Sequence, residues 1–234
     1  MNGIFLIDKP RGITSHDVVY RVRRKLGIKQ VGHAGTLDPM ATGLLIVLVG
    51  KGTKLSESLM GLDKVYEGTA KLGEVTDSYD ADGEIVAIQD VPSLTSDDLK
   101  QFMQPFLGDQ YQEPPMFSAK KIHGTPLYKL ARKGQTVERP KRFIRIMEFS
   151  LLDFHLTSFD FRLHCTKGTY VRSVVHDIGQ KIGCGAHLTA LRRTRSGHLS
   201  IQDAIQLDVF ESMDKLAIES CLIPPYRALP PRIA

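Results

Sequence analysis

The run LLIVLVG at residues 44–50 places six apolar side chains in a row with no alternation. A strand formed there has no polar face to offer water, so it must lie in a sheet covered on both sides. That requirement commits the chain to layers of helix packed on sheet. The segment before it has the opposite character. GHAGTLDPMATG (32–43) holds three glycines, two threonines, one histidine, one proline and a single carboxylate, Asp38. Glycines let another backbone or a ligand approach closely, and a rigid strand behind such a loop would fix its position.

The remaining periodicities place the other elements. GIFLID (3–8) reads as a strand ended by the Lys9-Pro10-Arg11-Gly12 turn. Thr14 or Ser15 can N-cap a helix whose apolar face is Val18, Val19, Val22 and Leu26, closed by Gly27. A short helix near 53–60, a half-buried strand over 64–73 and a strand at 84–89 follow. Ser96 then caps a helix running to about Phe106. Residues 109–142 mix prolines, glycines, aromatics and basic residues, and read as a basic excursion with one short helix at 126–133. Strands at 143–156 and 159–166, a helix at 170–182, a strand at 186–194 and a helix near 207–219 complete the chain. Strands and helices alternate without strict β-α-β order, which predicts an α+β fold on a mainly antiparallel mixed sheet. No sharp boundary divides it, so one catalytic domain is expected over 1–200, with 201–234 a short extension.

Charge is uneven. The net value is +5, yet residues 119–198 carry sixteen Lys and Arg against five Asp and Glu, while 61–118 carry three against twelve. A basic face of this kind attracts polyanions, nucleic acid above all, although a solvated surface balanced by the acidic segment fits as well. Cys165, Cys184 and Cys221 are far apart and form no C-x-x-C pair, which suits a reducing compartment. The N-terminus has no basic stretch before its short apolar run, and no apolar run approaches membrane-spanning length. A soluble, cytoplasmic protein is expected.

Asp38 precedes a proline, where an Asp most often caps a turn. Its functional alternative is a nucleophile or base. A desolvated carboxylate kept ionised needs a cation beside it, and Arg172 in KGTYVRSVVHDIG is a candidate. The histidines, His33 among them, fall at no metal-ligand spacing, so no metal site is read. Tyr66 follows Lys64, and Tyr170 follows Lys167 and Gly168. Such pairs can stack on an unpaired base while the cation holds phosphate, or can pack in a core. There is no Walker loop and no nucleophile elbow, and GCGAH (183–187) lacks the features of a dinucleotide fingerprint. The residues by themselves reach an RNA-binding enzyme with one acid.

GHAGTLDPMATGLLIVLVG resembles the catalytic-loop motif of the TruB-type tRNA pseudouridine synthases. GIFLIDKPRGITSHDVV, KVYEGTAKLGEVTDSYDADGEI, PPMFSAKKIHGTPLYKLARKG, KGTYVRSVVHDIG and GCGAHLTALRRTRSG resemble further segments of that family, in the family's order. The resemblance implies isomerisation of uridine 55 in the tRNA T loop to pseudouridine, with no cofactor and no metal. It implies Asp38 as the catalytic aspartate, Arg172 as its partner, and Tyr66 as the residue stacked on the target base. Tyr170 and Leu191 would line the uridine pocket, and His33 would fill space left by the extruded nucleotide. Lys9-Pro10 would form a buried turn, and Asp80 a polar position close to the RNA. Lys120, Lys121, Lys129, Arg132, Arg142, Arg192 and Arg193 would contact the RNA backbone, the first five from the basic excursion.

Many family members carry a C-terminal PUA domain, which 201–234 is too short to supply. Two alternatives stand beside the tRNA enzyme: a tRNA-folding chaperone in which catalysis is secondary, and a guide-dependent synthase of ribosomal RNA. The first has no need of Asp38, Tyr66 and Arg172 together, and the second typically needs the missing domain. A monomer without an obligate protein partner is expected.

Overall fold

The computed structural model describes residues 1–118, 120–122 and 124–229, with only the backbone of Lys121. The chain opens with β1 (Gly3–Lys9), α1 (Ser15–Leu26), β2 (Val31–His33), β3 (Thr42–Val49), α2 (Ser56–Met60), β4 (Lys64–Leu72), β5 (Glu74–Thr76) and β6 (Ile85–Ile88). Next come α3 (Ser96–Met103), β7 (Gly108–Gln112), β8 (Lys121–Ile122), β9 (Thr125–Pro126), α4 (Leu127–Ala131), β10 (Arg142–His155) and β11 (Ser158–Cys165). It ends with α5 (Val171–Ile182), β12 (Ala186–Ser196), β13 (Leu199–Ser200), β14 (Ile205–Gln206), α6 (Leu207–Ser212), α7 (Lys215–Ser220) and α8 (Pro225–Ala228). The fold is α+β, with a large mixed sheet flanked by helices, as the periodicities predict. The chain divides into two compact units, Met1–Tyr66 with the segment from Leu191 onward, and Glu67–Ala190.

In the first unit the strand order is β14-β1-β3-β12, with β2 on β3 and β13 on β12. β1 runs antiparallel to β3 from Gly3↔Val49 to Lys9↔Gly43, whereas β12 is parallel to β3 at Arg192↔Thr42. Every side chain from Leu44 to Val49 is buried. Leu44, Ile46 and Leu48 pack with Ile4, Leu6, Leu59, Leu199 and Ala228. On β1, Phe5 meets Phe210 edge-on at 5.1 Å. The uninterrupted apolar run thus has its cause: both faces of this sheet are covered.

The C-terminal segment belongs to the same core. β14 pairs in parallel with β1 at Ile7↔Ile205, and Ile223 exchanges backbone hydrogen bonds with Ile4 at 2.9 and 3.0 Å. The helix expected near 207–219 is two helices, because Asp214 N-caps a new one through the amide of Ala217 (2.8 Å).

In the second unit the order is β4-β11-β10-β7, with β10 antiparallel to both its neighbours. Along β11 buried residues alternate strictly with partly exposed ones, as a strand with one covered face requires. Phe149 lies edge-on to Phe161 and Phe106 on the covered side. The 109–142 region is more regular than its composition suggests: β7 pairs with β10, β8 with β9, and α4 follows. The cap of α3 is Thr95, not Ser96, since Thr95 and Asp98 form a reciprocal capping box. No helix among the described residues is long and apolar enough to cross a membrane.

Candidate active site

The loop that carries Asp38 links β2 to β3 and is held from beneath by three buried side chains. Ser15 is one. Thr14 already caps α1, so the Ser15 hydroxyl is free to bond Leu37 twice, donating to its carbonyl (3.1 Å) and accepting from its amide (2.8 Å). Lys9 is the second: fully buried, its ammonium donates to the carbonyls of Ile13 (2.7 Å), Pro10 (2.9 Å) and Pro39 (3.3 Å). The residues on either side of Asp38 are therefore both pinned. Asp38 itself is half-buried, and its carbonyl accepts the Ala41 amide at 3.1 Å in the turn that Pro39 opens.

Arg193 is the third. It was expected on the RNA backbone, and that expectation is corrected. Only 1% of it is exposed, and its guanidinium donates to the carbonyls of Leu44 (2.7 Å), Gly35 (3.0 Å) and, at longer range, Thr36 (3.4 Å). The cause is strand geometry. Adjacent residues of β12 point to opposite faces, so Arg192 and Arg193 cannot both reach the same ligand. Gly43 fits the arrangement because its φ is +100°, and a Cβ there would lie 2.4 Å from the Arg193 carbonyl oxygen.

Arg192 keeps the outward direction. It pairs with Asp8 through two contacts of 2.6 and 3.0 Å and lines a cavity of about 410 Å³ with Asp8, Arg21, Thr42, Gln206 and Asp208. Leu191, one residue earlier and nearly buried, accepts the Thr42 hydroxyl on its carbonyl at 3.4 Å. Tyr66 on β4 is 9% exposed. His33 is not in the loop but on β2, paired with Val47 of β3. Its Nδ1 is buried without a hydrogen-bond partner among the described residues, and burial, then Arg193 and His16, push its pKa below the ordinary 6.5.

The second unit holds the other expected residues. Arg172 lies in the first turn of α5 and is 3% exposed. Its guanidinium donates to the carbonyls of Ser78 (2.8 Å) and Phe117 (2.9 Å) and lies 3.3 Å from the Asp80 carboxylate. Asp80 also accepts from the Ser78 hydroxyl (2.6 Å) and the Asp82 amide (3.1 Å). At 4% exposure it is a buried partner of Arg172. Tyr170 sits at the N-cap of α5, where Gln112 holds both its amide (2.8 Å) and its carbonyl (3.0 Å). Lys129, Arg132 and Arg142 are exposed, and Arg132 lies 5.6 Å from the centre of the Tyr128 ring. Lys120 is partly exposed, with its ammonium 3.3 Å from the Pro140 carbonyl. The side chain of Lys121 lies outside the described residues.

Ser15, Gln112 and Phe117 were missed in the sequence. Phe117 acts through a carbonyl that every residue has. Ser15 alone had a signal, a second hydroxyl at a helix start that needs only one.

A family profile described as TruB family pseudouridylate synthase (N terminal domain) matches residues 23–171, and one described as tRNA pseudouridylate synthase B C-terminal domain matches 172–229. The chain is 57% identical over 230 residues to the tRNA pseudouridine synthase B of Opitutus terrae, covering 98% of this chain and 95% of that protein. It is 48% identical to the protein of the same name from Syntrophotalea carbinolica, over 91% of this chain and 70% of that one. Among solved structures it is similar to a chain of a Cbf5-Nop10-Gar1 complex, with a TM-score of 0.75 and 28% identity over 97% of this chain. A chain of an H/ACA RNP bound to a substrate RNA containing 2′-deoxyuridine gives a TM-score of 0.69 and 26% identity, also over 97% of this chain. This chain spans 61% and 57% of the lengths of those two.

Proposed function

Because the chain belongs to the TruB family of pseudouridylate synthases, we propose that it converts the uridine at position 55 of the tRNA T loop to pseudouridine. What carries the reading is the match to a tRNA pseudouridine synthase B along nearly the whole of both chains. The chemistry is an isomerisation whose atoms balance. The N1–C1′ bond breaks, the uracil turns, and a C5–C1′ bond forms; C5 gives up its hydrogen as a proton and N1 takes one up. Such a reaction asks the protein for extraction, positioning and proton transfer, and for no cofactor.

Extrusion of the target base from a folded loop costs roughly a few kcal/mol. Exposed Lys129, Arg132 and Arg142, with Lys120, offset it through phosphate contact. Asp38 is the group brought to the sugar C1′ or the uracil C6, on a loop whose flanks Ser15, Lys9 and Arg193 hold still. Arg172 is the cation of the reaction, and Asp80, 3.3 Å from its guanidinium, fixes that charge in place. Tyr66 stacks on the freed base and takes the C5 proton, while Tyr170 and Leu191 contact the uridine. His33, uncharged at neutral pH, takes the room of the extruded nucleotide. The enzyme acts in the cytoplasm, as a monomer on the T arm.

A tRNA transcript made with uridine tritiated at C5 tests the position directly, because each conversion releases one tritium. One equivalent from a transcript tritiated at position 55 alone supports the reading. Undiminished release from a uniformly labelled transcript carrying cytidine at 55 rejects the assignment.

A further inference from the structure

Tyr79 is the one non-glycine residue with positive φ (65°) among those described. An aromatic side chain is disfavoured in that left-handed region, where glycine sits freely. Tyr79 lies between Ser78 and Asp80, the two residues of this turn that meet Arg172. Its ring stacks on that of His176, with centroids 3.8 Å apart and planes 14° from parallel. His176 follows Arg172 by one helical turn of α5, so both side chains leave the same face of the helix toward the same turn. The His176 Nδ1 is buried without a hydrogen-bond partner among the described residues, so the imidazole is placed for its ring face.

We propose that the Tyr79–His176 stack is a positioning element for the active-site arginine, locking the 78–80 turn in its left-handed form so that Arg172 is held in one orientation. The inference rests on the reading of Arg172 as the catalytic cation. Its causal chain is short. If Tyr79 relaxed to an ordinary backbone conformation, the peptides on either side would rotate. The Ser78 carbonyl and the Asp80 carboxylate would then leave the guanidinium. The backbone around Tyr79 is tied elsewhere too, since its carbonyl accepts the Leu188 amide at 3.0 Å and the Ala81 amide bonds back to Leu188 at 2.9 Å. Glycine would hold this φ at less strain, so the ring is there for what it touches. Neither ring needs to meet the uridine.

The test is single-turnover pseudouridine formation, tRNA affinity and thermal midpoint for four variants. Tyr79→Ala, which keeps the strain of this φ without the ring, and His176→Ala should each slow the reaction about tenfold, the scale of one lost ring contact, with tRNA affinity within about twofold of wild type. Tyr79→Phe and His176→Phe keep both rings and should restore the rate to within about threefold. A Tyr79→Ala variant at the wild-type rate overturns the inference, and so does a His176→Phe variant as slow as His176→Ala. A wild type that forms no pseudouridine removes the functional reading instead. The stack is then judged without turnover, from the guanidinium NMR signal of Arg172 assigned with Arg172→Lys. That signal should be sharp in the wild type and broadened in Tyr79→Ala; an unchanged signal overturns the proposal.

Discussion

Replacing Arg193 by methionine separates a loop clamp from a phosphate contact. The guanidinium makes two short hydrogen bonds to backbone carbonyls, at 2.7 and 3.0 Å, and one long one at 3.4 Å, from a site 1% exposed. Bonds to a charged donor are worth about 1.5–3 kcal/mol each, so the two short ones contribute roughly 3–6 kcal/mol. Removing the guanidinium also relieves the desolvation of a buried charge, and a methionine of similar reach fills part of the space. About 2–4 kcal/mol of net destabilisation remains. Urea unfolding measures it as a lowered midpoint at unchanged slope. The folded fraction should still bind tRNA normally but react about 10- to 100-fold more slowly, since a loop displaced by about 1 Å misplaces its carboxylate. A phosphate-contacting arginine gives the reverse pattern: unchanged stability, weaker binding and a salt dependence reduced by about one ion. That pattern would refute the clamp.

Three further outcomes follow from the geometry. Ser15→Ala leaves the Leu37 amide and carbonyl without their partner (2.8 and 3.1 Å), and should cost about 1–3 kcal/mol in urea unfolding and slow the reaction without changing tRNA affinity. Burial lowers the pKa of both His33 and His176 from 6.5. The unfolded chain then binds more protons at mildly acid pH, so stability is full above about pH 6.5 and declines as pH falls toward the lowered folded values. His33→Gln with His176→Phe should flatten that decline in unfolding series between about pH 8 and 5; an equal decline in the double variant would rule out these imidazoles as its source. Converting exposed Lys129, Arg132 and Arg142 to glutamine should weaken tRNA binding and lower the slope of log affinity against log salt by about 0.7–0.9 per residue, with little change in the single-turnover rate at saturation.

How much of this was legible varied with the kind of signal. The first helix was readable to within a residue at its start, where Thr14 and Ser15 both offered a cap, and at its end, where Gly27 closes it, because cap chemistry acts within a few residues. The buried strand over 44–49 was readable for a similar reason, as its apolar run allows few environments. β2 and β14 were not, since strands of three and two residues have too few positions to establish a period. The Asp38 loop was visible as an oddity of composition, but what holds it was not. Ser15 meets Leu37, and Arg193 meets Gly35, only after folding, through backbone groups that leave no mark on residue type. The RR pair at 192–193 looked like two phosphate contacts because composition ignores direction, whereas a strand sends its two members to opposite faces. Asp80 was read only through the family resemblance, and its burial against Arg172 depends on a turn whose middle residue breaks the usual rule for φ.

The central claim is that this chain isomerises uridine in tRNA through Asp38. Single-turnover tritium release from a C5-tritiated tRNA transcript, wild type beside Asp38→Asn, tests it most directly. Asparagine keeps the shape of the side chain and removes its charge. The account predicts one equivalent released by the wild type, and from the variant equal tRNA affinity with release slowed by at least about 10³-fold. Release by Asp38→Asn at the wild-type rate, or tRNA bound by both proteins with none released by either, would contradict it.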